Sequence, residues 1–107
     1  MIATQEVIKN EHGYVKAAQI FYSELNNGWK IACDYCETNK SGKWDDAKEY
    51  YIDETDLKKI HNSLKDVIET YRVPVAGDII FSNVGGMETV ISVQFDTEDK
   101  RIFFWLH

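Results

Sequence analysis

Two cysteines in a Cys-x-x-Cys spacing, Cys33 and Cys36, form the pattern in this sequence that is closest to a chemical motif. Redox sites and zinc knuckles both use this spacing. The surrounding alternation predicts a strand, in which side chains three positions apart point to opposite faces, so the two sulfur atoms do not converge. A structural zinc also needs four ligands, and no second Cys-x-x-Cys or His-x-x-x-His is present. We therefore expect no metal or redox site, with Cys33 a small core residue and Cys36 incidental.

The three histidines, His12, His61 and His107, share no spacing that would join them in one site. A catalytic triad needs a nucleophile, and no Gly-x-Ser-x-Gly elbow or comparable signature supplies one. His61 lies beside the apolar stripe of a predicted helix, where packing of its ring explains it better than general-base catalysis. The paired glycines at 85–86 lack the lysine and hydroxyl of a phosphate-binding loop and indicate a turn. We expect neither enzymatic activity nor a cofactor.

Carboxylates and aromatic residues are the remaining candidates for function. Acidic residues group at 45–46, 53–56 and 96–99, without the twelve-residue ligand alternation of a calcium loop. Each group is either a solvated turn or helix N-terminus, or part of a surface that recognises arginine and lysine on another protein. The three Trp, six Tyr and five Phe exceed the needs of a modest core, so some should be exposed interface anchors. The predicted partner-binding residues are Trp44, Asp45, Asp46, Asp53, Glu54, Asp96, Glu98 and Asp99.

Length and composition set the class of molecule that carries these residues. A chain of 107 residues with 44% hydrophobic content is expected to fold as a single domain, residues 1–107. The formal net charge of −6 disfavours direct binding of nucleic acid or anionic lipid and favours encounter with a basic partner. No apolar run approaches the roughly 20 residues that span a bilayer, and no signal-peptide pattern opens the chain. With two cysteines only, we expect a cytoplasmic protein.

The first half of the chain predicts a hairpin. Residues 14–24 alternate between two faces, as in a strand, and residues 26–28 (Asn-Asn-Gly) tolerate the positive φ of a hairpin turn. A second strand is predicted at about 29–37. Residues 38–46 are polar and aperiodic and predict a loop, which a short extended piece at 49–52 follows.

The second half predicts one helix and three strands. Asp53 or Thr55 is suited to cap the helix, whose buried face is an apolar stripe at spacings of three and four: Leu57, Ile60, Leu64, Val67 and Tyr71. Pro74 ends the helical region. Strands are predicted at 78–84, 88–95 and 101–106, the last apolar on both faces. The expected fold is α+β, an antiparallel sheet of about five strands (β-β-α-β-β-β) with one main helix on one face.

Two passages carry a resemblance to a protein family, the strand-to-helix passage YYIDETDLKKIHNSLKDVIETY and the closing hairpin VISVQFDTEDKRIFFWLH. Together with the acidic composition and length, they resemble the immunity proteins of bacterial contact-dependent growth inhibition. The resemblance implies tight one-to-one binding to a cognate basic toxin, with a nuclease active site occluded by carboxylates that mimic substrate phosphates. No functional residue is carried over, because these families lack an invariant motif.

Two other classes of function remain open. One is a small enzyme or ligand-binding domain, which predicts a pocket between helix and sheet lined by His61 or Cys33 with perturbed protonation. The other is a structural or assembly subunit, which predicts a stable homo-oligomer that pairs through sheet edges, in particular through the apolar last strand.

Overall fold

The computed structural model describes residues 9–17, 23–35, 37–38, 44–45, 51–82 and 86–107. Nine short strands and one helix lie within these ranges. In chain order they are β1 Val15–Lys16, β2 Ser23–Glu24, β3 Lys30–Tyr35, β4 Glu37–Thr38, β5 Trp44–Asp45, β6 Tyr51–Ile52, α1 Glu54–Thr70, β7 Ile79–Ser82, β8 Gly86–Asp96 and β9 Arg101–Leu106.

The helix α1 forms where its cap and its apolar stripe predict it, except that Tyr71, the last residue of the predicted stripe, follows the helix and is 82% exposed. The Asp53 side chain accepts hydrogen bonds from the backbone N–H groups of Thr55 and Asp56, at 2.8 and 3.3 Å, and so caps the helix. Leu57, Ile60, His61 and Leu64 are buried on the face that packs against the sheet. The helix ends four residues before Pro74, whose neighbours cannot continue α geometry.

The main sheet has five strands in the order β2-β3-β9-β8-β7. The predicted α+β class is therefore confirmed. One pairing differs from the predicted antiparallel sheet, because β3 and β9 run parallel, with Ile31 opposite Ile102 and Tyr35 opposite Leu106. After β3 the chain crosses the face of the sheet through α1, so that β9 later runs in the same direction as β3. A hairpin connection would have made the two strands antiparallel.

Strand β9 lies in the centre of this sheet, and its two faces meet different surroundings. Ile102, Phe104 and Leu106 face the helix and are at most 3% exposed. Phe103 and Trp105 lie on the opposite face, with their rings 5.0 Å apart. The predicted pairing of protein copies through this strand is wrong, because both of its edges already bind β3 and β8.

The amino-terminal strands are more broken than the alternation predicts. The predicted strand at 14–24 is represented by β1, which pairs with β6, and by β2, which pairs with β3; residues 18–22 lie outside the described ranges. The β2–β3 hairpin is confirmed, and Gly28 has the positive φ of 87° that its turn requires. The predicted loop at 38–46 contains paired residues instead: Thr38 pairs with Trp44, and Glu37, the last residue of the predicted second strand, pairs with Asp45.

Candidate functional site

The predicted partner-binding residues lie at opposite ends of the main sheet. The backbone N–H of Lys30 donates to the carbonyl of Lys100 at 2.9 Å, which places the 96–99 turn beside the start of β3. The Asn26 amide donates to Glu69 at 2.6 Å, so the carboxyl end of α1 lies at this same end. Asp53 and Glu54 lie at the other end of this 17-residue helix, about 25 Å away along its axis. The acidic groups at 53–54 and 96–99 therefore do not form one continuous surface.

Asp53 has a structural role at the helix N-terminus, because its carboxylate accepts from two backbone N–H groups there. We expect Asp53→Ala to lower the free energy of unfolding by about 1 kcal/mol, the usual cost of a lost N-cap. Urea denaturation followed by circular dichroism at 222 nm measures this loss. Asp66→Ala, which removes an exposed carboxylate from the middle of the same helix, is the control and should change stability by less than half as much.

The Asp96 carboxylate likewise has a structural role, because it accepts hydrogen bonds within its own turn. One carboxylate oxygen accepts from the backbone N–H groups of Glu98 and Asp99, at 3.2 and 3.1 Å, and the other accepts from Arg101 Nη2 at 2.9 Å. The hydrogen bond from the Asp99 N–H is the main reason that the pKa of Asp96 is lowered, and Arg101 lowers it further. Asp96 therefore holds the turn in shape, while Glu98 and Asp99 project into solvent.

The third predicted group lies largely outside the described residues. The backbones of Trp44 and Asp45 form β5, which pairs with β4. Their side chains, and Asp46 as a whole, fall outside what the structure describes. Their part in partner binding stays a prediction.

An aromatic pair that the sequence did not single out lies next to the acidic turn. Phe95 is 57% exposed, and its ring contacts that of Trp29 edge to face, with centroids 6.2 Å apart. An exposed Phe beside carboxylates combines an apolar anchor with charge. We name Phe95, Glu98, Asp99 and the half-buried Trp29 the acidic end surface. The sequence could have indicated this pair by position, because Trp29 directly follows the first hairpin turn and Phe95 directly precedes the 96–99 turn.

Two concave surfaces flank the start of β7. The first is a groove of about 420 Å³ that adjoins the acidic end surface, lined by Val73, Pro74, Val75, Ala76, Ser92, Val93 and Phe95. The second, of about 680 Å³, lies between the end of α1 and β7, lined by Val67, Tyr71, Arg72 and residues 78–81. Arg72 and Asp78 form an ion pair of 2.6 Å at the second surface, so its charge is internally neutralised.

Cys33 and His61, the candidates for a ligand pocket, are enclosed in the core. Both are 0% exposed, and neither lines either concave surface. Burial raises the pKa of the Cys33 thiol well above its ordinary value, and it lowers the pKa of His61 to about 3. Both side chains are therefore neutral at pH 7. Their perturbed protonation reflects packing between helix and sheet.

A second polar cluster connects strands at the far end of the sheet. Tyr35 and Glu88 are hydrogen-bonded, and they link β3 to β8 across β9. Burial raises the pKa of Glu88, and the hydrogen bond from Tyr35 partly opposes that shift. Burial is also the main cause of the raised pKa of Asp34, whose carboxylate accepts the backbone N–H of Tyr35 at 2.8 Å. Because Tyr35 ends β3 and the 96–99 turn lies beside the start of β3, this cluster is far from the acidic end surface.

Among the described residues, no group of three or more His, Cys, Asp or Glu side chains is placed to hold a metal ion. No helix in the described ranges has the length and apolarity needed to cross a membrane. Comparison of the chain with protein-family models, with curated proteins and with solved structures gives no match.

Proposed function

We propose that this protein is a non-enzymatic inhibitor of a cationic protein toxin, which it binds through the acidic end surface. The observation that carries this proposal is the exposed pair Glu98 and Asp99, displayed by a turn whose shape Asp96 maintains, beside the exposed ring of Phe95. The resemblance to immunity proteins of contact-dependent growth inhibition supports a nuclease as the toxin. The producing cell's cytoplasm is then the place of action.

The physical basis of such binding is charge combined with a fixed geometry. A net charge of −6 accelerates the approach of a basic partner, and the effect weakens as salt is added. Carboxylates held at the tip of a short hairpin need little reordering when they meet arginine or lysine, so less entropy is lost on binding. Charge-assisted hydrogen bonds to guanidinium groups, together with the apolar contact of Phe95, would then slow dissociation.

Charge reversal at the turn tests this proposal. The tagged protein is used to capture its partner from the native host, and the purified partner is titrated by calorimetry. We expect Glu98→Lys and Asp99→Lys each to weaken binding about tenfold, and the double variant about a hundredfold, because each replaces an attraction with a repulsion. The nuclease activity of the partner should recover in parallel.

Glu11→Lys is the matched control for this test, because it makes the same charge change at an exposed position before β1, which lies near the helix N-terminus. It should weaken binding less than threefold. Equal weakening by Glu11→Lys and the turn variants would show that net charge alone matters. Unchanged affinity in the double variant would remove the acidic end surface from the interaction.

A homo-oligomeric assembly subunit is the second candidate, and the outer edge of β7 is the observation that favours it. Ile79 and Phe81 on this edge strand are 55% and 78% exposed, and the strand has no lysine or proline to discourage pairing. Light scattering separates the two candidates, since the inhibitor is expected to be monomeric before it meets its partner. A stable dimer that Phe81→Lys dissociates would favour assembly.

A further inference from the structure

The outer edge of β8 changes character along its length. Thr89 exchanges backbone hydrogen bonds of 3.0 and 2.9 Å with His107, so Thr89 directs its polar groups toward β9. Val90 directs its groups the other way, to Gly77 and Asp78, both at 2.8 Å. At these two residues, therefore, both sides of β8 are paired.

A β-bulge at Ile91 then shifts the register, with Val90 opposite Leu106 and Ser92 opposite Trp105. Along a strand, the backbone N–H and C=O groups of successive residues point alternately to the two neighbouring strands. Those of His107 point to β8, so the backbone groups of Trp105 and Phe103 point to β8 as well. Their partners Ser92 and Gln94 are thus directed toward β9. The backbone groups of Val93 and Phe95 must face the outer edge.

Nothing in the described ranges pairs with that outer edge. Gly77 makes the last backbone bond on this side. Residues 73–76, which precede it, line the groove beside β8 but make no backbone hydrogen bond to it among the described residues. The N–H and C=O groups of Val93 and Phe95 accordingly have no hydrogen-bond partner among the described residues. Unpaired groups of this kind are a template on which another strand can form.

The groove described above lies along this unpaired stretch, and we name it the β8 edge groove. Its wall is apolar, with Val75 and Phe95 exposed by 55% and 57%. Ser92 is the one polar residue among the described residues that line the groove, so the groove suits apolar side chains.

We propose that the β8 edge groove receives an extended segment of the partner protein as an additional strand, with apolar side chains alternating with lysine or arginine. This inference rests on the proposed function and specifies its mode of binding. Backbone hydrogen bonds to Val93 and Phe95 would supply affinity, and the apolar wall would accept alternate side chains.

Charge decides the chemistry of that segment. The groove leads to the 96–99 turn, where Glu98 and Asp99 are exposed and Asp96 is already neutralised by Arg101. Lys100 is the opposing exposed cation in this turn, so the local balance remains acidic. Basic side chains at the end of the added strand would meet these carboxylates.

Hydrogen exchange and nuclear magnetic resonance test the edge directly. In the protein alone, the amide hydrogens of Val93 and Phe95 should exchange at least tenfold faster than those of Ser92 and Gln94. The probe is an acetylated, amidated hexapeptide of alternating lysine and valine, which should shift the Val93 and Phe95 amide resonances and slow their exchange. A valine–glutamate hexapeptide, or a lysine–valine peptide N-methylated at alternate residues, should bind at least tenfold more weakly.

Two lysine substitutions locate the added strand. Val75 and Ile79 are each 55% exposed, so Val75→Lys in the groove and Ile79→Lys on the β7 edge are matched in charge and exposure. We expect Val75→Lys to weaken binding of the lysine–valine peptide at least tenfold and Ile79→Lys less than twofold. The reverse pattern would place the strand on β7, and no effect from either variant would overturn the inference. A dimer of the protein alone that Val75→Lys dissociates would also overturn it, since the occupant would be a second copy.

The outcomes separate this inference from the proposed function. If Val75→Lys retains full inhibition of the captured toxin while the double reversal at Glu98 and Asp99 abolishes it, the inhibitor proposal stands and the added strand is wrong. If the cationic peptide binds as expected but no toxin is captured or inhibited, the edge site stands and the inhibitor proposal is wrong.

Discussion

Phe104→Ala is expected to lower the free energy of unfolding by about 3 to 5 kcal/mol, the range found when a large buried ring is truncated in a packed core. Phe104 is 0% exposed in the central strand β9, where it lies opposite Cys33 on β3 and Val93 on β8 and faces α1. Because a domain of this size is stabilised by only about 5 to 15 kcal/mol, the variant should be largely unfolded at moderate temperature or low urea concentration.

Phe81→Ala supplies the matched control, since the same atoms are removed from a ring that is 78% exposed on the edge strand β7. Its cost should be below about 1 kcal/mol, because little apolar surface is lost from the interior. Urea denaturation monitored by tryptophan fluorescence compares the two variants. Similar losses in both would mean that the helix and β9 do not form the main core.

Acidification is expected to destabilise the protein through His61. Burial lowers the pKa of His61 in the folded state to about 3, whereas the imidazole of the unfolded chain keeps its ordinary value of 6.5. Between these two values the unfolded state binds more protons, so stability falls as the pH falls. The contribution of His61 is fully present above pH 6.5, and about 2 kcal/mol of it is lost by pH 5 and about 3 kcal/mol by pH 4.

His61→Gln isolates this contribution, because glutamine is similar in size and does not titrate. The difference in unfolding free energy between pH 7.5 and pH 5 should shrink by about 2 kcal/mol in this variant. His12→Gln removes an imidazole that is exposed to solvent, and it is the control for loss of a histidine outside the core. The comparison of variant with parent protein is necessary because Asp34 and Glu88 have raised pKa values in the folded state. Their protonation stabilises the folded state as the pH falls and partly masks the effect of His61. If the unfolding free energy of His61→Gln depends on pH as strongly as that of the parent protein, the imidazole of His61 is not buried in its neutral form.

Local signals in the residue order were sufficient for several elements. The cap at Asp53 and the stripe from Leu57 predicted α1, because a helix is stabilised by contacts only three or four residues apart. The turn at Gly28 predicted the first hairpin for a similar reason, since its positive φ is a property of that residue alone. The acidic turn before Arg101 was also correctly placed, and there Asp96 binds groups no more than five residues away.

The candidate site depended on contacts that no local pattern encodes. Asp53 was predicted both as a helix cap and as a partner contact, and Asp96 as a partner contact. Each carboxylate accepts structural hydrogen bonds from backbone groups two or three residues away. Phe95 received no role, although its exposure beside Trp29 makes it the main apolar group of the acidic end surface. The contact between Phe95 and Trp29 follows from which strands become neighbours, and strand order is set by long-range packing.

The amino-acid order thus determined the α+β class, the helix, the hairpins and an acidic charge, all of which arise from neighbouring residues or from composition. Only the tertiary structure decided that β9 lies between β3 and β8 and runs parallel to β3. That placement removed the last strand from the sheet edge and separated the two acidic groups. Within the described residues, it also left part of β8 without a neighbouring strand, beside an apolar groove. Such pairings bring together residues about 70 positions apart, and their stability comes from burial of the whole core.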